Sequence, residues 1–201
     1  MEKVFARIIQ ILFHPLLIAT FGVLILFRTN LYVAFISAQI RHIVLLTTLA
    51  TTCLIPLVII FSIGVIKKYF AGKVRLPEVT MIYLFIAISY YIGYYLLSII
   101  PIAGFYKTAF LAGTLVLVSL SLISLHWKIS SHMAGVGALA GVTIAIMLRL
   151  GVFDQAFLAI VLMAGGLTGF ARLALAKNNP AQVLAGYLLG FGILFLVFSI
   201  L

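Results

Sequence analysis

Seven long apolar runs, separated by short polar breaks, make up almost the whole chain. They fall at roughly 5–27, 42–66, 79–98, 104–125, 132–150, 153–172 and 181–201. Each is close to the ~20 residues that a helix needs to cross a bilayer. The fourth and fifth runs are the least sharply separated, so the pattern predicts six or seven spans. Runs of this length are far too long for barrel strands, and a backbone in hydrocarbon must pair its own N–H and C=O groups. The predicted fold class is therefore all-α, a polytopic transmembrane helical bundle forming a single integral membrane domain over 1–201. Lys3 and Arg7 ahead of the first run look like the start of a signal peptide. Bulky apolar residues nevertheless continue through Leu16, Phe21 and Phe27 without a small-residue cleavage site, which predicts a retained first span.

Composition agrees with the pattern. Hydrophobic residues make up 66% of the chain and charged residues 8%, more apolar surface than a water-soluble domain can hide. Three acids, Glu2, Glu78 and Asp154, stand against thirteen Lys and Arg, for a net charge of +10. The cations sit at the ends of apolar runs and form no stripe interleaved with aromatics. Anionic lipid headgroups are thus the expected partners, and nucleic acid is not. Cys53 is the single cysteine, so neither an internal disulfide nor a cysteine-based metal site is expected. Following the spans alternately across the membrane puts Lys3, Arg7, Lys67, Lys68, Lys73, Arg75, Lys128, Arg172 and Lys177 on one side. Arg28, Arg41, Lys107 and Arg149 fall on the other. The positive-inside rule would make the first side cytoplasmic, and a bacterial inner membrane is the expected location. Phosphate-binding cations on that side would weaken the rule, so orientation stays open.

The last three runs each carry two glycines one helical turn apart: Gly137/Gly141, Gly165/Gly169 and Gly186/Gly190. Small residues at that spacing let helix backbones approach closely. Packing on them would gather the starts of the fifth and seventh spans and the end of the sixth, where His132, Arg172 and Asn178 lie.

Three polar segments then return to one predicted face. They run from Lys68 to Pro77, from Lys128 through Ser130 and Ser131 to His132, and from Arg172 to Gln182. Cations, two hydroxyls and an imidazole around a common mouth suit a phosphate group. Guanidinium and ammonium groups grip its oxygens, hydroxyls donate to it, and helix N-termini near Ser131 and Pro180 point N–H groups the same way. Three acids are too few to hold a divalent ion, so no metal or other cofactor is expected.

These segments resemble the type 2 phosphatidic acid phosphatase superfamily of integral membrane lipid phosphatases. Lys68 and Arg75 have the spacing of its first motif, although Leu76 follows Arg75 and the proline comes one later, at Pro77. Ile129-Ser130-Ser131-His132 is similar to its Pro-Ser-Gly-His motif. Ala171-Arg172 stands where its third motif has Ser-Arg, with Asn178 at that motif's histidine and Gln182 at its aspartate. The resemblance covers roughly residues 66–190. It implies that His132 is the general acid and that Lys68, Arg75, Ser130 and Arg172 bind phosphate. Lys128 and Ser131 join them on their chemistry alone. It also implies a nucleophile at position 178, where an amide nitrogen with a delocalised lone pair cannot attack, and Gln182 cannot orient an imidazole by charge. The expectation is a phosphorylated-lipid or polyprenyl-phosphate binder with weak or absent metal-independent hydrolysis.

Other histidines are poor substitutes. His126 precedes His132 by six residues and would face elsewhere on a continuous helix. His14 reads as a helix-packing residue, and His42 lies at the opposite mouth. Two further readings stay open: a small transporter or channel for an anionic solute or lipid, and a structural membrane partner assembling through its glycine faces.

Overall fold

The computed structural model describes residues 2–28, 37–69, 79–100, 104–151 and 153–200, and every described element is a helix. Six helical segments are long and apolar enough to span a bilayer, or seven if one bent pair is counted as a span. The chain is an integral membrane helical protein. Large apolar side chains such as Leu46, Phe61, Tyr95, Met163 and Leu188 are exposed on it, as expected where lipid is the solvent. The chain divides into two compact units, Met1–Gly22 with Lys128–Leu201, and Val23–Trp127.

In the first unit the run expected as one span is two helices, α1 (Glu2–Leu12) and α2 (Pro15–Arg28, which continues into the second unit), bent by 59°. The break has a local cause. Proline disfavours the helical conformation in the residue before it, and it is itself well placed at the first position of a new helix. His14 caps that helix, its Nδ1 accepting the Leu16 N–H at 3.3 Å. Ala6 and Ile9 of α1 pack on Ala171 of α8 (Gln155–Ala174), and Ile18 of α2 packs between Val136 and Ala164.

The centre of this unit is the pairing of α7 (Ser131–Leu150) with α9 (Pro180–Ile200). A Cβ on Gly137 or Gly141 would strike the backbone of Tyr187 or Phe191. One on Gly186 or Gly190 would strike the backbone of Ser130 or Ala134. The two helices therefore touch main chain to main chain along two turns. The third glycine pair differs: Gly165 and Gly169 of α8 meet only the side chains of Tyr187, Val136, Val183 and Met133.

The second unit holds α3 (Ala38–Leu49) and α4 (Ile55–Tyr69), joined by a π-helical turn at Ala50–Leu54, then α5 (Val79–Ser98) and α6 (Gly104–Ser124). Pro56 explains the wider turn. It has no N–H to donate, and its ring clashes with the carbonyl four residues back. The Ile55 N–H reaches back to Ala50 O, and the Ser89 hydroxyl of α5 donates to the carbonyl of Thr51. A serine on a neighbouring helix thus satisfies a backbone group that the widened turn releases, as hydrocarbon requires. Ser121 Oγ donates to Thr80 O at 3.0 Å and ties α6 to α5.

Candidate functional site at the α7, α8 and α9 termini

Two helices of the first unit begin, and one ends, at the polar mouth. Ser130 caps α7, its hydroxyl oxygen accepting the Met133 N–H at 3.4 Å. Asn179 and Gln182 cap α9 reciprocally: Gln182 N–H donates to Asn179 Oδ1 at 2.9 Å, and Asn179 N–H donates to Gln182 Oε1 at 3.1 Å. This is a capping box, with Pro180 at the first helical position. The Ser130 N–H donates to the Gln182 carbonyl at 3.2 Å and joins the two helix starts.

The end of α8 closes with a left-handed residue, Ala176 (φ 50°). Ala176 N–H reaches Leu173 O at 2.9 Å, and Lys177 N–H reaches Arg172 O at 3.1 Å. This is the Schellman arrangement, with alanine where glycine is usual.

Arg172 lies in the last turn of α8. Its Nε and Nη2 donate to Asn178 Oδ1 at 2.8 and 2.6 Å, and Asn178 Nδ2 donates to Gln182 Oε1 at 3.1 Å. Asn178 is buried, so its amide is fixed at both ends, oxygen to the guanidinium and nitrogen to the capping glutamine. The positions matching a nucleophilic histidine and its aspartate thus belong to one hydrogen-bonded chain that locks the α8–α9 turn. The arrangement has no group able to attack phosphorus at Asn178.

His132 is in the first turn of α7, 8% exposed, and neither ring nitrogen has a hydrogen-bond partner among the described residues. The ring lies edge-on to His14, centroids 5.3 Å apart at 80°, and within electrostatic reach of Arg172. Buried polar groups normally find partners, so this imidazole stands out among the described residues.

The structure thus brings Arg172, Asn178, Gln182, Ser130 and His132 together as the spacing predicts. Ser130 is buried as a helix cap, Ser131 is half-buried, and Lys128 is exposed just ahead of α7. Lys68 ends up in the last turn of α4, in the second unit. Its side chain, and all of Arg75 and Glu78, lie outside the described residues. His126 follows α6 in a turn and not on a helix continuous with His132.

Two features were missed from sequence. The capping box was visible in Asn179-Pro180-Ala181-Gln182. The approach of His14 to His132 was not, because it depends on the bend before Pro15. Comparisons with models of protein families, with curated proteins and with solved structures return no match.

Proposed function

We propose that the protein is a non-catalytic relative of the phosphatidic acid phosphatase type, binding the phosphorylated headgroup of a lipid or polyprenyl phosphate in a cytoplasmic membrane. The observation that carries this reading is the Arg172–Asn178–Gln182 chain. A phosphate-binding cation and a helix start are held together where a nucleophile and its orienting acid would be needed, and the amides there hold the turn. Support comes also from His132, buried beside Arg172 without a hydrogen-bond partner among the described residues, and from the N–H groups that open α7 and α9.

The test is phosphate release from phosphatidic acid and polyprenyl phosphate by the purified protein and by Asn178→His/Gln182→Asp, with lipid binding measured on Arg172→Ala. The expected result is binding without release by the parent, weaker binding by Arg172→Ala, and release appearing in the double variant. Metal-independent release by the parent that disappears in His132→Ala would sink the proposal.

The 59° break in the first span favours a second reading, transport of an anionic solute past broken helices. Uptake of labelled phosphate or organic anions into proteoliposomes, abolished in His132→Ala, would promote it over headgroup binding.

A further inference from the structure

A separate cavity of about 360 Å³ opens between α1 and the end of α8. That volume is within the roughly 300–1,000 Å³ of typical ligand pockets. Lys3, Arg7, Gln10 and Lys177 line it together with Ala174, Leu175 and Ala176. None of the motif residues Arg172, Asn178 and Gln182 is among them.

Three observations point to the ligand. First, the cavity wall has three cations and one amide but no acidic side chain, so the charges repel one another until an anion enters. Second, Lys3, Arg7 and Gln10 recur at i, i+4 and i+7 and so share one face of α1, while Val4, Phe5, Ile8, Ile11 and Leu12 are exposed elsewhere around the same helix. A helix patterned this way lies in the plane of the membrane interface, its apolar side in the acyl region and its cations at headgroup depth. Third, three of the carbonyls in the last turn of α8, which would repel an anion, are taken up: Ala171, Leu173 and Arg172 accept the N–H groups of Leu175, Ala176 and Lys177.

We propose that this cavity is a second oxyanion site, taking the phosphate of an anionic lipid headgroup or free phosphate. It stands without the headgroup reading of the motif positions. Arg7 supplies a planar fork matched to two phosphate oxygens, Lys3 and Lys177 supply point charges from either side, and Gln10 donates an amide hydrogen bond.

The experiment is lipid binding by native mass spectrometry on detergent-purified protein, titrated with dioleoyl phosphatidic acid or dioleoyl phosphatidylcholine. Arg7→Gln/Lys177→Gln is compared with the parent, with Arg172→Ala and with the charge-retaining Arg7→Lys, and helix content of each is checked by circular dichroism. Removing two cations is expected to weaken phosphatidic acid binding about 30-fold, while Arg7→Lys, which keeps the charge and loses the fork, weakens it by less. A second arm titrates inorganic phosphate without lipid. Saturation lost in the cavity variant assigns a free oxyanion, whereas saturation by phosphatidic acid alone assigns the headgroup.

Parent-like binding in a folded Arg7→Gln/Lys177→Gln overturns the proposal. So does loss of all binding in Arg172→Ala with none in the cavity variant, which would leave the motif reading standing. Loss confined to the cavity variant supports this site and removes the headgroup reading from Arg172.

Discussion

Ala176 shows at the residue scale how much one backbone angle decides. Its φ of 50° lets the α8 carbonyls close on themselves and aims Asn178 back at Arg172. An L-residue with a Cβ is held there at a cost of about 1 kcal/mol, which glycine avoids. Ala176→Gly is therefore expected to raise stability by about 0.5 kcal/mol, the rest being offset by glycine's freer unfolded chain. Reversible unfolding in mixed detergent micelles would measure it, and a fall in stability would mean the turn gains nothing from its left-handed residue. Asn178 makes the contrasting point. Its identity was readable as an amide that cannot attack phosphorus, but its structural role, bridging a guanidinium and a capping glutamine, depends on a turn that places residues 172 and 182 on either side of it.

Among the elements, α7 and α9 are joined by glycines that face backbone, and those of α8 face side chains. The same spacing thus has two consequences. A Cβ at Gly190 meets Ala134 main chain, which cannot move without shifting the helix, so Gly190→Ala is expected to destabilise by about 1–3 kcal/mol or to block folding. Gly166, on α8 with nothing within 4 Å of its would-be Cβ, is the control. Gly166→Ala should be neutral or stabilising by up to about 1 kcal/mol. Equal thermal shifts for the two variants would show that the glycine seam does not hold the pair together. The number of spans and their positions were legible at this scale, because about 20 apolar residues in a row have few alternatives in a bilayer. The two interruptions were written in Pro15 and Pro56, whose missing N–H groups break or widen a helix, but the 59° bend and the Ser89 contact needed neighbouring helices to define them.

For the whole molecule the strongest global signal is the distribution of charge. If the seven apolar runs cross a membrane alternately, nine cations fall on the side of the α8–α9 turn and four on the other. The expectation is a cytoplasmic turn. Lys177→Cys in a Cys53→Ser background should then resist a membrane-impermeant maleimide added to intact cells and react after permeabilisation, and labelling of intact cells would invert the topology. The sequence by itself determined the membrane solvent, the all-helical class and the approximate spans, because hydropathy and helical spacing act within one segment. Only the tertiary structure decided that α1 turns aside at His14 and lays its cations beside Lys177, that His14 meets His132, and that Arg172 is bound by Asn178. The first two depend on side chains far apart in sequence being brought together by packing, and the third on the left-handed turn at Ala176 that folds Asn178 back on Arg172.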